Sequence, residues 1–423
     1  MLYCGMRYGT TTGVKISEPV RGQIEVKWSA VDGELPADHL ARTLDAIVGS
    51  LDMGPFLARA KSTEGVAGRP ILSPRMMLVL WLYAIIDGVG SAMAIERLTI
   101  AHVAYRWIVG DLRPSHDIIS RFRVHQGEAF SKVLSEVLAR LLEAGLLDLD
   151  VVAQDGTRLR ASAGAPSFRS APALQDCREH ARLHLQAVLS QQNDPELSPT
   201  AKATRLAKAR DYVARVEGAI QALATLPEDK KGEPRASTTD PDARVMKMGD
   251  GGFRPAYNVQ FTVAGSEEGG PRTIVGVQLT NLGSDMGSLT PMADDVENRT
   301  GERPKKVLAD TGHFNRKDMA ECKRKGTTPI VPPPRPRKKD GQSEKDRLSV
   351  DEWRDAQMSV GDRRLYKRRP SLSEIANAAL KGTYRLDQLR VRGLPRVMST
   401  ILLYALCYDI HQNINTLARM IAV

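Results

Sequence analysis

The chain has 423 residues, 42% of them hydrophobic and 26% charged, with a net charge of +10. That length allows two or three domains with cores of their own, and the hydrophobic share makes most of the chain globular. Only 5% of the residues are aromatic, which disfavours base-stacking platforms as the main binding device.

The position of the charge says more than its size. Arg303 to Arg369 holds 20 of the 60 Lys/Arg and 10 of the 50 Asp/Glu, which leaves 40 of each elsewhere. The whole excess therefore sits in one block, and a solvated face would intersperse its signs. Such a block reads as a footprint for a polyanion. The four cysteines, Cys4, Cys177, Cys322 and Cys407, form no CxxC pair. This argues against zinc knuckles and a disulfide framework and fits a reducing cytoplasm. The longest apolar run, MMLVLWLYAII (76–86), is well short of the roughly 18 residues of a membrane span and reads as a buried helix.

In chain order, residues 1–35 are Gly/Thr-rich and without a strong period, and we expect a poorly ordered start. Residues 36–147 show apolar residues at helical spacing in four stretches. Ser73-Pro74 and Ser115 are N-cap starts, and Gly88, Gly110 and Gly145 are stops. Within this all-α module, LRPSHDIISRFR resembles half of a helix-turn-helix, with Arg121 and Arg123 on an exposed stretch. A plain packed helix pair fits the same residues. LDLDVVAQDG (147–156) then reads as a short strand ending at Asp155, and 167–239 as a polar helical insertion.

Strands resume at AYNVQFTVAG (256–265), whose alternation predicts one buried and one solvated face, and at RTIVGVQLTN (272–281). A helix, the strand KKVLAD ending at Asp310, a second helix and the strand TTPIVPP follow. A basic linker (332–369) leads to a segment that reads as helical from Ser371 to the end. Three strands followed by alternating α and β is the order of an RNase H-like mixed sheet. The predicted fold is therefore α/β, with catalytic-core segments 148–166 and 240–423.

Asp155 and Asp310 each close a predicted strand, and in the proposed topology those strands are neighbours. Ligands gather at the carboxyl ends of strands in open α/β sheets, although Asp before Gly is also an ordinary turn former. Two converging carboxylates must be neutralised, and a divalent cation does so while bridging to phosphates. A third acid is needed. Glu374 lies at the start of the helix after the linker, with Ser371 or Ser373 as its cap and Lys381 two turns on along the same face. Glu321, Glu344 and Glu352 are its rivals. His313, beside Asp310, reads as a surface residue, with a place near the metals as the alternative, and Asp240 and Asp285 as structural or supporting acids.

Read together, these blocks resemble the bacterial insertion-sequence transposases of the DDE superfamily, over about residues 36–415. SPRMMLVLWLYAIIDGVGS and YRWIVGDLRPSHDIISRFR are similar to the helical N-terminal module of one such group. VVAQDGTRLRASA and VLADTGHFN are similar to its two aspartate blocks, DPDARVMKMGDGGFRPAYNVQ and TNLGSDMGSLTPM to blocks flanking the next strands, and E-x₆-K (Glu374 to Lys381) with RGLPRV to its C-terminal block. The resemblance implies a catalytic triad of Asp155, Asp310 and Glu374 holding two Mg²⁺ (or Mn²⁺) ions. It implies an endonuclease and strand transferase acting at the element's terminal inverted repeats.

The expected partner is double-stranded DNA, with a homodimer in the active complex and no membrane. Lys381, Arg364, Arg368 and Arg369 would grip the backbone, and Arg121 and Arg123 are the candidates for reading sequence. The pattern departs from the family at one point: the usual Tyr and Arg positions fall on Lys367 and Pro370, with Tyr366 and Arg369 each one residue early. A one-residue insertion in PSLS accounts for the shift. A non-catalytic DNA-binding descendant and a structure-specific nuclease on the same core are the alternative functions.

Overall fold

The computed structural model describes residues 8–11, 14–17, 30–58, 71–226, 233–265, 270–335, 349, 352 and 357–421. A small antiparallel hairpin, β1 (Tyr8–Thr11) with β2 (Val14–Ser17), opens it. Most of the basic linker, with Glu344 and Trp353, lies outside the described residues.

The N-terminal half is helical: α1 (Leu40–Gly49), α2 (Gly54–Leu57), α3 (Pro74–Ile86), α4 (Ala92–Ala101), α5 (Val103–Val109), α6 (His116–His125) and α7 (Gly127–Glu143). Helix α3 starts as expected, with Ser73 Oγ accepting from Met76 N and Pro74 in the first turn, where its missing N–H is harmless. Every residue from Met76 to Ile85 is buried, so the all-round apolar run is a core helix. Helix α7 buries one stripe, Phe130, Val133, Leu134, Val137, Leu138 and Leu141, at the spacing of a single helical face.

The chain then forms β3 (Val151–Arg160), a short bridge of β4 (Phe168–Arg169) with β5 (Ala236–Ser237), and between these two the helix pair α8 (Ala171–Ser190) and α9 (Pro199–Ala224). The elements that follow are β6 (Arg244–Lys247), β7 (Phe253–Ala264), β8 (Thr273–Thr280), α10 (Leu289–Thr300), β9 (Lys306–Leu308), α11 (Arg316–Arg324) and β10 (Thr328–Ile330). One mixed sheet runs β10-β9-β3-β7-β6, with β8 also on β7. Strands β3, β7 and β8 are antiparallel, and β9 and β10 join parallel to β3.

After the linker come α12 (Val360–Tyr366), a π-helical turn at Pro370–Glu374, α13 (Ile375–Gly382), α14 (Leu394–Gln412) and α15 (Ile414–Ile421). Helix α14 is buried almost all round from Val397 to Ile410. It packs against β8 on one side and α3, α6 and α7 on the other, so the N-terminal helices and the sheet share one apolar core.

The structure corrects four sequence expectations. Asp155 lies in the middle of β3, because the strand continues to Arg160 against β7. Strand β7 is buried on both faces from Pro255 to Ala264, since its polar face supports the site described below. Residues 383–393 are not helical: Gln388 bridges to Arg160, and Arg160 O accepts from Leu389 N. Glu374 does not begin a fresh helix. The helix start is capped at Ser359, whose Oγ accepts from Asp362 N, while Ser371 and Ser373 donate back to the carbonyls of Arg368 and Arg369.

Candidate catalytic site

Register places the two aspartates side by side. Val152 pairs with Val307 and Ala153 with Leu308 in the parallel β3–β9 ladder. Two residues further along each chain are Asp155, within β3, and Asp310, just past β9, near enough for the Asp310 charge to act on Asp155. The paired strand stops at Leu308, and Asp310 caps the turn that follows, accepting from Gly312 N at 2.9 Å.

Their environments differ. Burial pushes the Asp155 carboxyl above the usual carboxylate range, opposed by the Arg369 guanidinium and reinforced by the Asp310 charge. Asp310 is held below it, chiefly by the hydrogen bond to His313, against the effect of burial. One carboxylate therefore stays ionised while its neighbour resists ionisation, as expected for two acids sharing a site that lacks enough positive charge.

The third acid arrives on the helix after the linker. Arg369 reaches between the carboxylates, with Nη2 3.0 Å from Glu374 Oε1 and Nη1 3.7 Å from Asp155 Oδ1. Asn377, three residues beyond Glu374, donates from Nδ2 to Asp155 Oδ2 at 2.9 Å, and its buried Oδ1 has no partner. Lys381 follows on the same helix. Burial lowers its ammonium from the ordinary lysine value, and the Asp155 charge partly offsets this. Among the described residues no three His, Cys, Asp or Glu side chains sit close enough to form a ready metal cluster. The guanidinium instead lies where a cation would touch Asp155 and Glu374. Two carboxylates pair with this guanidinium and Asp310 feels its charge, and carboxylate oxygens are the donors that divalent cations of the hard type take.

A buried polar layer supports the aspartates from beneath. His313 is fully buried, not a surface residue; its Nδ1 is 2.7 Å from Asp310 Oδ1 and its Nε2 3.0 Å from Gln260 Oε1. Gln260 and Asn258 each donate to Asp285 Oδ1 at 2.6 Å. Gly156, next to Asp155, lies against this pair, and a Cβ there would collide with Gln260 and Asp285. Asp240 stands apart, fully buried and accepting from Tyr257 and from Gly393 N. Glu321 pairs with Arg324 at the surface, as its charged helix suggested.

Asn377, His313, Gln260 and Asn258 were not singled out as site residues from sequence. The available signal was the polar face of β7, which only burial on both sides turns into a supporting layer. The basic candidates divide. Arg364 is exposed. Arg368 donates to Gly265 O, and Arg369 faces the carboxylates rather than open solvent. Arg121 is exposed, whereas Arg123 is 5% exposed, stacked over Trp81 and bonded to Gly90 O, so the expected exposed stretch does not include it.

With this geometry in place, comparison with known families gives two matches. Residues 29–125 match the family described as Transposase domain (DUF772), and residues 234–410 match the Transposase DDE domain. Asp310 and Glu374 fall inside the second match, and Asp155 lies between the two. The chain belongs with the insertion-sequence transposases of the DDE class, enzymes that cleave DNA and transfer its strands. No curated protein and no solved structure matches it. Among the described residues no helix is long and apolar enough to cross a membrane.

Proposed function

We propose that this transposase cuts and joins DNA at the terminal inverted repeats of its own element, with Asp155, Asp310 and Glu374 as the catalytic carboxylates on an RNase H-like core. The observation that carries this reading is the β3–β9 register, which brings two aspartates near each other, with Glu374 delivered beside them through Arg369. The strand order, three antiparallel strands followed by two parallel ones, supports the RNase H-like assignment.

The three carboxylates would hold two Mg²⁺ or Mn²⁺ ions, which when bound supply activation of the attacking oxygen and charge for the leaving one. Asn377 orients Asp155 through its Nδ2. His313 fixes the Asp310 carboxylate from below. Lys381, close enough to feel the Asp155 charge, holds a phosphate beside the scissile bond. The attacking groups are water and then a DNA 3′-OH, so no protein nucleophile is required. Double-stranded DNA is the partner, and pairing two element ends calls for two copies of the chain.

The test is cleavage and joining of a labelled duplex that ends in the element's own repeats, with Mg²⁺. Asp155→Asn and Asp310→Asn should each abolish both steps while leaving duplex binding in place. Retained cleavage in either variant overturns the assignment.

A further inference from the structure

Away from the carboxylates, two adjoining cavities of about 470 and 320 Å³ lie between the N-terminal helices and residues 385–390, and both are lined by Arg123 and Arg390. The smaller one adds Arg385. Their carboxylates already face other partners: Asp117 lies 3.7 Å from His116 Nε2, and Asp387 4.0 Å from Arg160. Three arginines thus line the smaller cavity against one carboxylate, Asp387, and two line the larger against Asp117. Arg123 is the telling member. It is 5% exposed, donates from Nη1 to Gly90 O, and its buried Nε has no acceptor. Burial and the facing Arg390 both push its guanidinium below the usual arginine value. The Trp81 ring and Gly90 O compensate part of that buried charge, and an anion between Arg123 and Arg390 would compensate the rest.

We propose that this cavity is a binding site for a phosphodiester of the DNA backbone, seated between Arg123, Arg385 and Arg390. The proposal rests on the transposase reading for the identity of the anion. Placement supports DNA over a free anion. The 385–390 segment is tied by backbone hydrogen bonds to Arg160, at the end of the strand that carries Asp155. Five residues of strand span about 17 Å, or about five base-pair steps at 3.4 Å each. A duplex whose scissile phosphate lies at Asp155 can thus bring a second phosphate to the cavity. The site also joins one residue from the first family-matched segment to two from the second, so bound DNA would bridge the helical module and the catalytic sheet.

The experiment uses the full chain in EDTA with a generic 30-base-pair duplex, followed by fluorescence anisotropy across a KCl series. Arg390→Ala and Arg385→Ala should each make the slope of log K against log salt shallower, with about 0.9 as the ceiling for a single shared phosphate, and weaken binding several-fold at low salt, whatever the duplex sequence. Parental slopes in both variants, with parental melting temperatures, overturn the proposal. Arg390→Gln replaces any variant that melts early. Calorimetry with inorganic phosphate alone separates the sources: saturable phosphate binding lost in Arg390→Ala, with an unchanged DNA slope, overturns the DNA assignment. Because these measurements need no metal, their failure leaves the cleavage result standing, and failed cleavage leaves the slopes interpretable.

Discussion

Arg369→Gln tests whether the guanidinium between the carboxylates stands where a metal binds. The Arg369 side chain is 14% exposed, Asp155 21% and Glu374 56%. At 3.7 Å the attraction to Asp155 is about 4–5 kcal/mol gross with an effective dielectric near 20. The Glu374 pair is largely solvated and adds under about 1 kcal/mol. Desolvation of the guanidinium offsets part of this, so we expect a net loss of about 2 kcal/mol in the metal-free protein. Glutamine keeps a polar amide on a shorter stem and removes the charge. In EDTA the variant should melt below the parent. Mn²⁺ should return most of the difference, because the ion replaces the missing positive charge. Mn²⁺ binding, read by electron paramagnetic resonance, should tighten by about tenfold, since the ion no longer displaces a guanidinium worth about 1.4 kcal/mol or more. Equal melting in EDTA, or weaker Mn²⁺ binding in the variant, refutes the reasoning.

Two further predictions follow from single side chains. Asn377→Ala removes the bond to Asp155 Oδ2; metal affinity should fall about 10- to 100-fold, as for other groups that orient a ligand, while the salt dependence of DNA binding stays unchanged. Asp409 is fully buried and accepts from Ile274 N, and its Oδ2 has no partner. Burial raises its carboxyl well above the ordinary value. The folded state therefore holds this proton more tightly than the unfolded chain does. The stabilisation is full below the unfolded pKa and is lost as pH rises through the folded one. Asp409→Asn should melt close to the parent near pH 4 and above it at pH 8, and a variant less stable at pH 8 contradicts this.

The elements and the acids were legible because their causes are local. Apolar period gave the helices of the N-terminal half, and the Val-rich runs ending near Asp155 and Asp310 marked the adjacent strands. Position within a strand was not legible. LDLDVVAQDG looked finished at Asp155 because Gly156 follows, yet that glycine keeps the strand running by leaving room for Gln260 and Asp285. His313 read as a surface residue because its stretch, DTGHFNRKD, is mostly polar, and its buried bond to Gln260 comes from a strand 53 residues away. Arg123 was misplaced for the converse reason: an arginine on a polar stretch looks exposed until Trp81 of α3 and Gly90 of the loop after it come against it.

The displaced Arg369 is the point at which sequence and structure explain each other. Residues five apart on an α-helix point about 140° away from each other, at 3.6 residues per turn. On that geometry Arg369 could not share a face with Glu374. The turn at Pro370–Glu374 is instead π-helical, closing i to i+5, and such single turns absorb one extra residue within a helix. The added residue is thus taken up before Glu374, and Arg369 returns to the carboxylate at 3.0 Å. Ordinary α-helix resumes at Ile375, so the spacing from Glu374 to Asn377 and Lys381 is undisturbed and both side chains reach toward Asp155. Tyr366, on the near side of the turn, still packs on the buried cluster of Ala153, Leu308, Ile330 and Leu372 that underlies the two aspartates. A spacing that departs from the family's in the sequence is, in three dimensions, taken up by the π-helical turn. Loss of catalysis through that insertion therefore has no support in the geometry.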